Sequence, residues 1–280
     1  MENIQISTDH PSTIFSKNLN GKIIYIRHGE TDYNKFLKSK GKSIKYDINY
    51  IDSPVNKKGE QQAIDASQKL KKLNIEIVYV SPLYRCLQTA FLLFKNHPNK
   101  KNIKLVVHPL LTEVVSGVNN FTYQIQKTKK KFNINSELKV DWTLFDNEFK
   151  TPKEQDLFFL KYIDEKKEKI QQKIKNIYDN YGKAKIKEEI ADLGKLIVDA
   201  GMRRIESLNH LFQRVLMFKS FLKEKYEKEL DDKDRKIIIV SHSCYGQIFT
   251  SKLCYELKDI TDYPNDACDM KNCEAISVFL

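Results

Sequence analysis

The order of short apolar runs and amphipathic segments is the feature that most constrains how this chain can fold. The apolar runs are rich in β-branched residues, and most of them are followed by a stretch with apolar residues at helical spacing. Such alternation is typical of an α/β sheet with helices on both faces. The predicted strands are KIIYI at 22–26, IEIVYV at 75–80, IKLVVH at 103–108, KIIIV at 236–240 and AISVFL at 275–280.

Helical spacing marks the segments between and after these strands. Helices are predicted at 56–73, 81–94, 205–215 and 244–257. In the second of them Pro82 is expected in the first turn, because a proline there removes no helical hydrogen bond. The sequence therefore predicts a core of strands joined by helical crossovers.

The segment from 118 to about 204 departs from this alternation. It contains the basic run KTKKKF at 127–132 and two amphipathic helical patterns, at 170–181 and 186–197. We interpret it as a helical insertion, whose helices either pack on themselves or cover the site. Residues 1–20 are polar and unpatterned and are predicted to form a flexible N-terminal arm, so that the domain spans 21–280.

Composition narrows the classes of partner. The net charge is +11, but only six of the 48 basic residues are arginine. Proteins that bind nucleic acid rely more on arginine's planar fork, so no nucleic-acid partner is expected. No segment approaches the roughly 18 uninterrupted apolar residues of a membrane span. The N-terminus lacks the pattern of a secretory signal, and five cysteines without paired spacing favour reduced thiols; a cytoplasmic protein is predicted.

Chemically unusual side chains follow four of the predicted strands. Because ligands of open α/β sheets bind beyond the carboxyl ends of the strands, these side chains are expected to meet at one edge. In chain order they are Arg27, His28, Ser81, Arg85, Glu113, Ser241 and His242.

Two guanidinium and two imidazole groups around helix N-termini suit a tetrahedral oxyanion, most simply a phosphoryl group. Arg27 and Arg85 can bind its oxygens and stabilise the transition state. A neutral His28 can attack phosphorus, with His242 on the opposite side. Glu113 is the candidate that protonates the leaving oxygen and later deprotonates the attacking water.

Six motifs in order resemble the histidine phosphatase superfamily, in its phosphoglycerate mutase-like branch. They are RHGETDYN at 27–34, DSPVNKKGEQQA at 52–63, VSPLYRCLQTA at 80–90, LLTEVVSG at 110–117, VSHS at 240–243 and NCEAISVF at 272–279. The resemblance implies a mostly parallel sheet flanked by helices. It also implies a nucleophile, His28, a proton donor, Glu113, and a phosphate pocket formed by Arg27, Asn34, Arg85 and His242.

The sequence also differs from the family pattern and from other phosphate-binding patterns. Ser243 and Cys244 follow the SH pair, where the family often has glycine, and the insertion is longer than in compact members. The trio Gly41-Lys42-Ser43 imitates the end of a phosphate-binding loop, but Phe36 occupies the place of its first glycine, so a surface loop is expected. No metal-ligand spacing is present, and neither a metal nor another cofactor is expected.

The predicted function is a phosphomonoester phosphatase that acts on small phosphorylated metabolites or phosphoproteins. Two alternatives are a phosphoglycerate mutase and a phosphate-recognising scaffold without turnover. A scaffold is expected to lose His28 or Glu113, and both are present. Mutases of the family are expected to carry a tail beyond the last strand, whereas AISVFL ends the printed sequence, which favours hydrolysis. A homo-oligomer is left open.

Overall fold

The computed structural model describes residues 19, 21–133, 138–229, 234–252, 257–266 and 269–278. Apart from Leu19, the predicted N-terminal arm lies outside the described residues. No helix in these ranges is both long and apolar enough to cross a bilayer.

The described chain forms a mixed α/β fold around one sheet. The strands are β1 Ile23–Arg27, β2 Asn74–Val80, β3 Lys104–Val107, β4 Lys139–Asp141, β5 Arg235–Ser241 and β6 Ala275–Val278. Their spatial order is β4-β3-β2-β5-β1-β6. Strands β4, β3, β2, β5 and β1 are mutually parallel, and β6 pairs antiparallel with β1. The predicted fold class, a mostly parallel sheet flanked by helices, is confirmed.

Helices connect and cover the strands. They are α1 Asp32–Lys40, α2 Lys57–Leu70, α3 Tyr84–Phe94, α4 Ile125–Asn133, α5 Thr143–Glu148, α6 Pro152–Asp156, α7 Glu168–Asp179, α8 Ile186–Asp199, α9 Leu208–Tyr226 and α10 Ser243–Thr250. Short 3₁₀ helices include Gly41–Tyr46, Pro109–Leu111 and Val118–Asn120. Polar caps define helix starts: the side chains of Asn56 and Ser207 accept hydrogen bonds from the first turns of α2 and α9.

The sheet buries both faces, because successive side chains of a strand point in opposite directions. On β1, Ile24 and Ile26 join an apolar cluster with α2 and α3, whereas Ile23 and Tyr25 join a second cluster with α9 and α10. The first cluster continues into α5, α7 and α8, so the segment 118–204 packs into the same core as the sheet.

Two helix ends in particular were predicted wrongly. Helix α3 begins at Tyr84, so Pro82 precedes it; Ser81 still extends the sheet through its N–H to Val240 O (3.1 Å). Helix α10 ends at Thr250, and two residues later Lys252 N donates to the Asp266 carboxylate (2.7 Å) instead of continuing the helix. Residues 253–256 of the predicted helix lie outside the described residues.

The segment 118–204 contains one element that the sequence did not predict. It is mainly helical, as predicted, but it also contributes the edge strand β4. The strand has only three residues, Lys-Val-Asp, and therefore no apolar run that could reveal it. An ion pair between Lys104 Nζ and Asp141 Oδ2 (2.6 Å) helps to hold it against β3.

The Gly41-Lys42-Ser43 trio lies in the 3₁₀ helix Gly41–Tyr46, where Ile44 is fully buried. The trio itself is exposed, as expected for a surface segment.

Candidate active site

The turn after β1 is built so that the chain passes directly over the first turn of α2. A Cβ on Gly29 would lie 2.6 Å from Gly59 O, which is backbone and cannot swing aside. The turn is tied to the sheet through His28 N, which donates to Ser241 O (3.0 Å), and through Asn272 Nδ2, which donates to His28 O (2.9 Å). The glycine of the RHGE motif is therefore required by a close backbone approach.

The His28 imidazole is buried and has a defined tautomer. Nδ1 lies 2.7 Å from Gly29 O, and because a carbonyl oxygen only accepts, Nδ1 carries the proton. The other nitrogen, Nε2, accepts from Arg85 Nε at 3.2 Å. Burial, followed by the charges of Arg85 and Arg27, holds the pKa of His28 well below its ordinary value of 6.5. At neutral pH the residue is a neutral imidazole with its Nε2 lone pair directed into the site.

Arg85 lies in the first turn of α3, at the centre of the site, and is only 2% exposed. Its Nη1 donates to Asn119 O (2.6 Å), and its Nη2 donates to Asn120 Oδ1 (2.8 Å) and to His242 Nδ1 (3.1 Å). Together with the contact to His28, these bonds place the guanidinium between the two imidazoles. Asn119 and Asn120 lie in the 3₁₀ helix Val118–Asn120, and no motif of the sequence singled them out.

His242 is fully buried at the N-cap of α10. Because Nδ1 accepts from Arg85, Nε2 carries the proton and donates to Ser81 Oγ at 2.8 Å. Burial, followed by the Arg85 charge, holds the pKa of His242 well below 6.5. The Tyr25 hydroxyl donates to His242 O (2.7 Å) and accepts from His242 N (3.0 Å), which fixes the backbone. The ring centroids of His28 and His242 are 5.3 Å apart.

Arg27, at the end of β1, leaves hydrogen-bonding capacity unused. Its Nη1 donates to Met270 O, whereas its Nε is buried and has no partner among the described residues. A buried cationic donor without an acceptor is costly, and an anion in the site would satisfy it.

Glu113 follows β3 and is 8% exposed. Its Oε1 accepts from Val114 N (3.0 Å) and Tyr245 N (3.2 Å), and its Oε2 accepts from Cys244 N (3.2 Å). The carboxyl group therefore sits on the N-terminus of α10, next to His242. Burial raises the pKa of Glu113, and the hydrogen bonds and the charges of Arg85 and Arg27 oppose that rise only in part. A raised pKa suits a group that must hold a proton for donation.

Asn34 has a different visible role. It is the third residue of α1, and its Oδ1 accepts from Thr31 N (3.2 Å) and from Thr31 Oγ (3.0 Å) in a capping box. These bonds use the amide oxygen and leave Nδ2 as the donor. Its contact with phosphate remains a prediction.

A cavity of about 240 Å³ lies beside the site. Its wall includes Asp52, whose Oδ1 accepts from Tyr84 N (2.9 Å) and whose pKa burial raises to about 6, against the lowering effect of Arg85. Lys127 and Lys131, from the basic run KTKKKF, also line the cavity. The sequence showed the lysines but not the cavity that they line.

Of the sequence-predicted residues, Arg27, His28, Ser81, Arg85, Glu113, Ser241 and His242 all lie at the carboxyl edge of the sheet, as expected. Within the described ranges, no group of three or more His, Cys, Asp or Glu side chains is arranged to hold a metal ion.

Comparison with known proteins identifies a family for part of the chain. Residues 23–155 match the family model of the histidine phosphatase superfamily (branch 1). The segment 23–155, a little under half of the chain, therefore carries the pattern of the histidine phosphatase superfamily. The match includes the His28 turn, Arg85 and Glu113 and runs into the first part of the predicted insertion. The resemblance seen in the sequence is thereby confirmed.

Two curated relatives match a part of the chain. Fructose-2,6-bisphosphatase TIGAR B of Danio rerio is 38% identical over 95 residues, which are 33% of this chain and 34% of that protein. A 2,3-bisphosphoglycerate-dependent phosphoglycerate mutase of Chlamydia muridarum is 33% identical over 86 residues, 31% of this chain and 34% of that protein. The chain thus matches about a third of the length of these relatives.

Two solved structures align with most of the chain. The ecdysone phosphate phosphatase from Bombix mori has a TM-score of 0.46 and 16% identity, covering 90% of this chain and 86% of that one. A phosphoglycerate mutase from Bacillus anthracis has a TM-score of 0.41 and 18% identity, covering 82% and 79%.

Proposed function

We propose that the protein is a phosphomonoester phosphatase that works through a phosphohistidine at His28. The observation that carries this proposal is the state of that side chain: a buried neutral imidazole whose Nδ1–H is bound to Gly29 O and whose Nε2 faces the Arg85 guanidinium. A fixed nucleophile beside a cation is the arrangement that phosphoryl transfer requires.

Substrate binding would first exchange partners at Arg85. In the described structure Arg85 Nε occupies the His28 lone pair and Nη2 binds His242. Phosphoryl oxygens are stronger acceptors for a guanidinium than a neutral imidazole is, because the bonds are charge-assisted on both sides. Their arrival would turn these two donors onto the phosphoryl group, release the His28 lone pair and give the unpaired Nε of Arg27 an acceptor.

The chemistry then has two steps. His28 Nε2 forms a bond to phosphorus, the P–O bond to the alcohol breaks, and the leaving oxygen takes the proton held by Glu113. In the second step the Glu113 carboxylate takes a proton from water, the resulting hydroxide attacks phosphorus, and the N–P bond breaks. Inorganic phosphate leaves, and both side chains return to their initial states.

The proposed substrates are small phosphorylated metabolites or phosphoproteins. One curated relative is named for bisphosphatase activity on a sugar bisphosphate, and others for mutase activity on phosphoglycerate. The mutase is therefore the second candidate, and its support is the 33% identity to these mutases. The scaffold without turnover is disfavoured, because a scaffold is expected to lose His28 or Glu113 and both are present.

The test is to trap the intermediate. The protein is mixed with a ³²P-labelled phosphomonoester and quenched without acid, and the label is expected on wild type as an acid-labile, base-stable adduct that is absent from His28→Ala. Phosphate release and 2-/3-phosphoglycerate interconversion are followed in parallel, with the bisphosphate primer supplied. Wild-type turnover in His28→Ala would reject the mechanism, and primer-dependent interconversion faster than phosphate release would favour the mutase.

We also propose that the protein resides in the cytoplasm. The support is its odd number of cysteines, five in all, and the free thiols of Cys86, Cys244 and Cys273. Reduced thiols are the rule in the cytosol. Fractionation of cells that express the tagged protein is the measurement.

A further inference from the structure

The loop that carries Glu113, residues 109–115, is held by side chains along its length. We call this segment the Glu113 loop. Its partners come from four separate parts of the chain. Tyr162 Oη donates to Pro109 O (2.9 Å), and Arg214 Nη1 donates to Leu110 O (2.8 Å) and Thr112 O (3.1 Å). Ser241 Oγ donates to Leu111 O (2.7 Å), and Asn120 Nδ2 donates to Val114 O (2.8 Å).

Two of these contacts belong to a buried ion pair. Arg214, on α9, is 2% exposed, and Glu206, just before α9, is 0% exposed. Arg214 Nε donates to Glu206 Oε1 (2.7 Å) and Nη2 donates to Oε2 (2.9 Å). The same Oε2 accepts from Val115 N at 3.0 Å. The ion pair therefore binds the Glu113 loop on both sides of Glu113. Arg214 binds the backbone before Glu113, and Glu206 binds Val115 after it.

The ion pair is also fixed on its other sides. The Arg214 guanidinium carbon lies 4.5 Å from the centre of the Tyr162 ring, and Ile205 N donates to Val115 O (2.9 Å). A buried ion pair adds little net stability compared with apolar residues of the same volume, because both charges lose their hydration. It does impose directional bonds, and a proton donor needs its position controlled to a fraction of an ångström.

We propose that Glu206 and Arg214 are positioning residues for the proton donor Glu113. The proposal rests on the phosphatase function proposed above. Neither side chain contacts the groups that would react. Both bind the backbone of the Glu113 loop, which sets the position of the Glu113 carboxyl group. Their loss should therefore impair protonation of the leaving oxygen and spare attack on phosphorus.

Leaving groups of different basicity separate these two effects. Glycerol 2-phosphate releases an alkoxide that needs a proton, whereas 4-nitrophenyl phosphate releases a phenolate that barely does. Arg214→Lys keeps the charge but cannot reach Glu206 and two carbonyls with the same geometry. We expect this variant to lose about 10²-fold in kcat/KM on glycerol 2-phosphate, as for a misplaced catalytic group, and under about threefold in kcat/KM on 4-nitrophenyl phosphate. The comparison uses kcat/KM because it reports the first step alone, whereas kcat also includes the attack of water that Glu113 assists with either substrate. Glu206→Gln should show the same selectivity.

A buried cation on the same helix provides the control. Lys219 is 1% exposed, and its Nζ donates to Ser251 O (3.3 Å), away from the Glu113 loop. Lys219→Met should change kcat/KM on glycerol 2-phosphate and on 4-nitrophenyl phosphate by the same factor. Melting curves establish that each assayed variant is folded. Equal losses on the two substrates in both Arg214→Lys and Glu206→Gln, or no loss in either, would overturn the proposal.

A double-mutant cycle gives a second readout. If Arg214 acts through Glu113, then Arg214→Lys should cost no further activity in a Glu113→Gln background, because the group it positions is already gone. Full multiplication of the two losses would contradict the positioning role. Failure of the underlying function is distinguishable, since wild type would then form no phosphohistidine and release no phosphate.

Discussion

Removing the Arg85 side chain should stop phosphoryl transfer on every monoester, whatever its leaving group. Its guanidinium touches both imidazoles, through Nε to His28 (3.2 Å) and Nη2 to His242 (3.1 Å). The same two nitrogens are the donors that phosphoryl oxygens would take. Arg85→Ala deletes both donors and leaves only Arg27 as a guanidinium in the site.

The magnitude follows from the number of donors. One preorganised donor to a developing anion contributes about 10²–10³ in kcat, or about 2.7–4 kcal/mol. Two donors together therefore set an expected loss of about 10⁴ to 10⁶ for Arg85→Ala if their effects multiply. The variant should still fold. Asn120, which is 2% exposed, loses one partner, and an unsatisfied buried group costs about 1–3 kcal/mol.

The assay measures kcat on 4-nitrophenyl phosphate and glycerol 2-phosphate, with a melting curve for each variant. Charge develops on the phosphoryl oxygens with either substrate, so both rates should fall by similar factors. Arg235→Ala is the matched control, because Arg235 lies exposed at the far end of β5, where it pairs with Glu76 (3.2 Å). A folded Arg85→Ala variant that loses less than about tenfold on both substrates would refute the reasoning, given what a single donor contributes.

Three further predictions concern pH, inhibitors and the turn after β1. Burial lowers the pKa of His28 below 6.5 and raises that of Glu113 above 4.5. Protonation of His28 removes the nucleophile, so the decrease of kcat/KM on the acid side that is due to the enzyme should occur only at pH values below 6.5. The alkaline limb, from loss of the Glu113 proton, should disappear in Glu113→Gln; an acid limb above pH 6.5 that persists after correction for substrate ionisation contradicts the assignment. Chelators should leave activity unchanged while vanadate, which mimics five-coordinate phosphorus, inhibits; restoration of a chelated enzyme by a divalent metal would reject a metal-independent mechanism. Gly29→Ala should destabilise the fold by about 1–3 kcal/mol and lower kcat, since the new Cβ meets Gly59 O at 2.6 Å; an unchanged melting temperature would show that the turn can relax.

Much of the core was predictable because its signals are local. Strands β1, β2, β3 and β5 each carry an apolar run, and α7 and α8 have apolar residues three and four positions apart. Strand β4 has no such run and was missed. The start of α3 was misplaced because Tyr84 N finds its acceptor in Asp52, 32 positions earlier in the chain.

The sequence by itself determined the α/β alternation, the family, and which chemical groups reach the carboxyl edge of the sheet, because each of these depends on neighbours within a few positions. Only the tertiary structure decided how those groups are held. Asn120 binds Arg85 across 35 positions, Glu206 binds Val115 across 91, and Tyr245 holds the Glu113 carboxyl across 132. Such contacts leave no periodic trace in a sequence, because they arise when separate elements pack and bring buried polar groups within hydrogen-bonding distance.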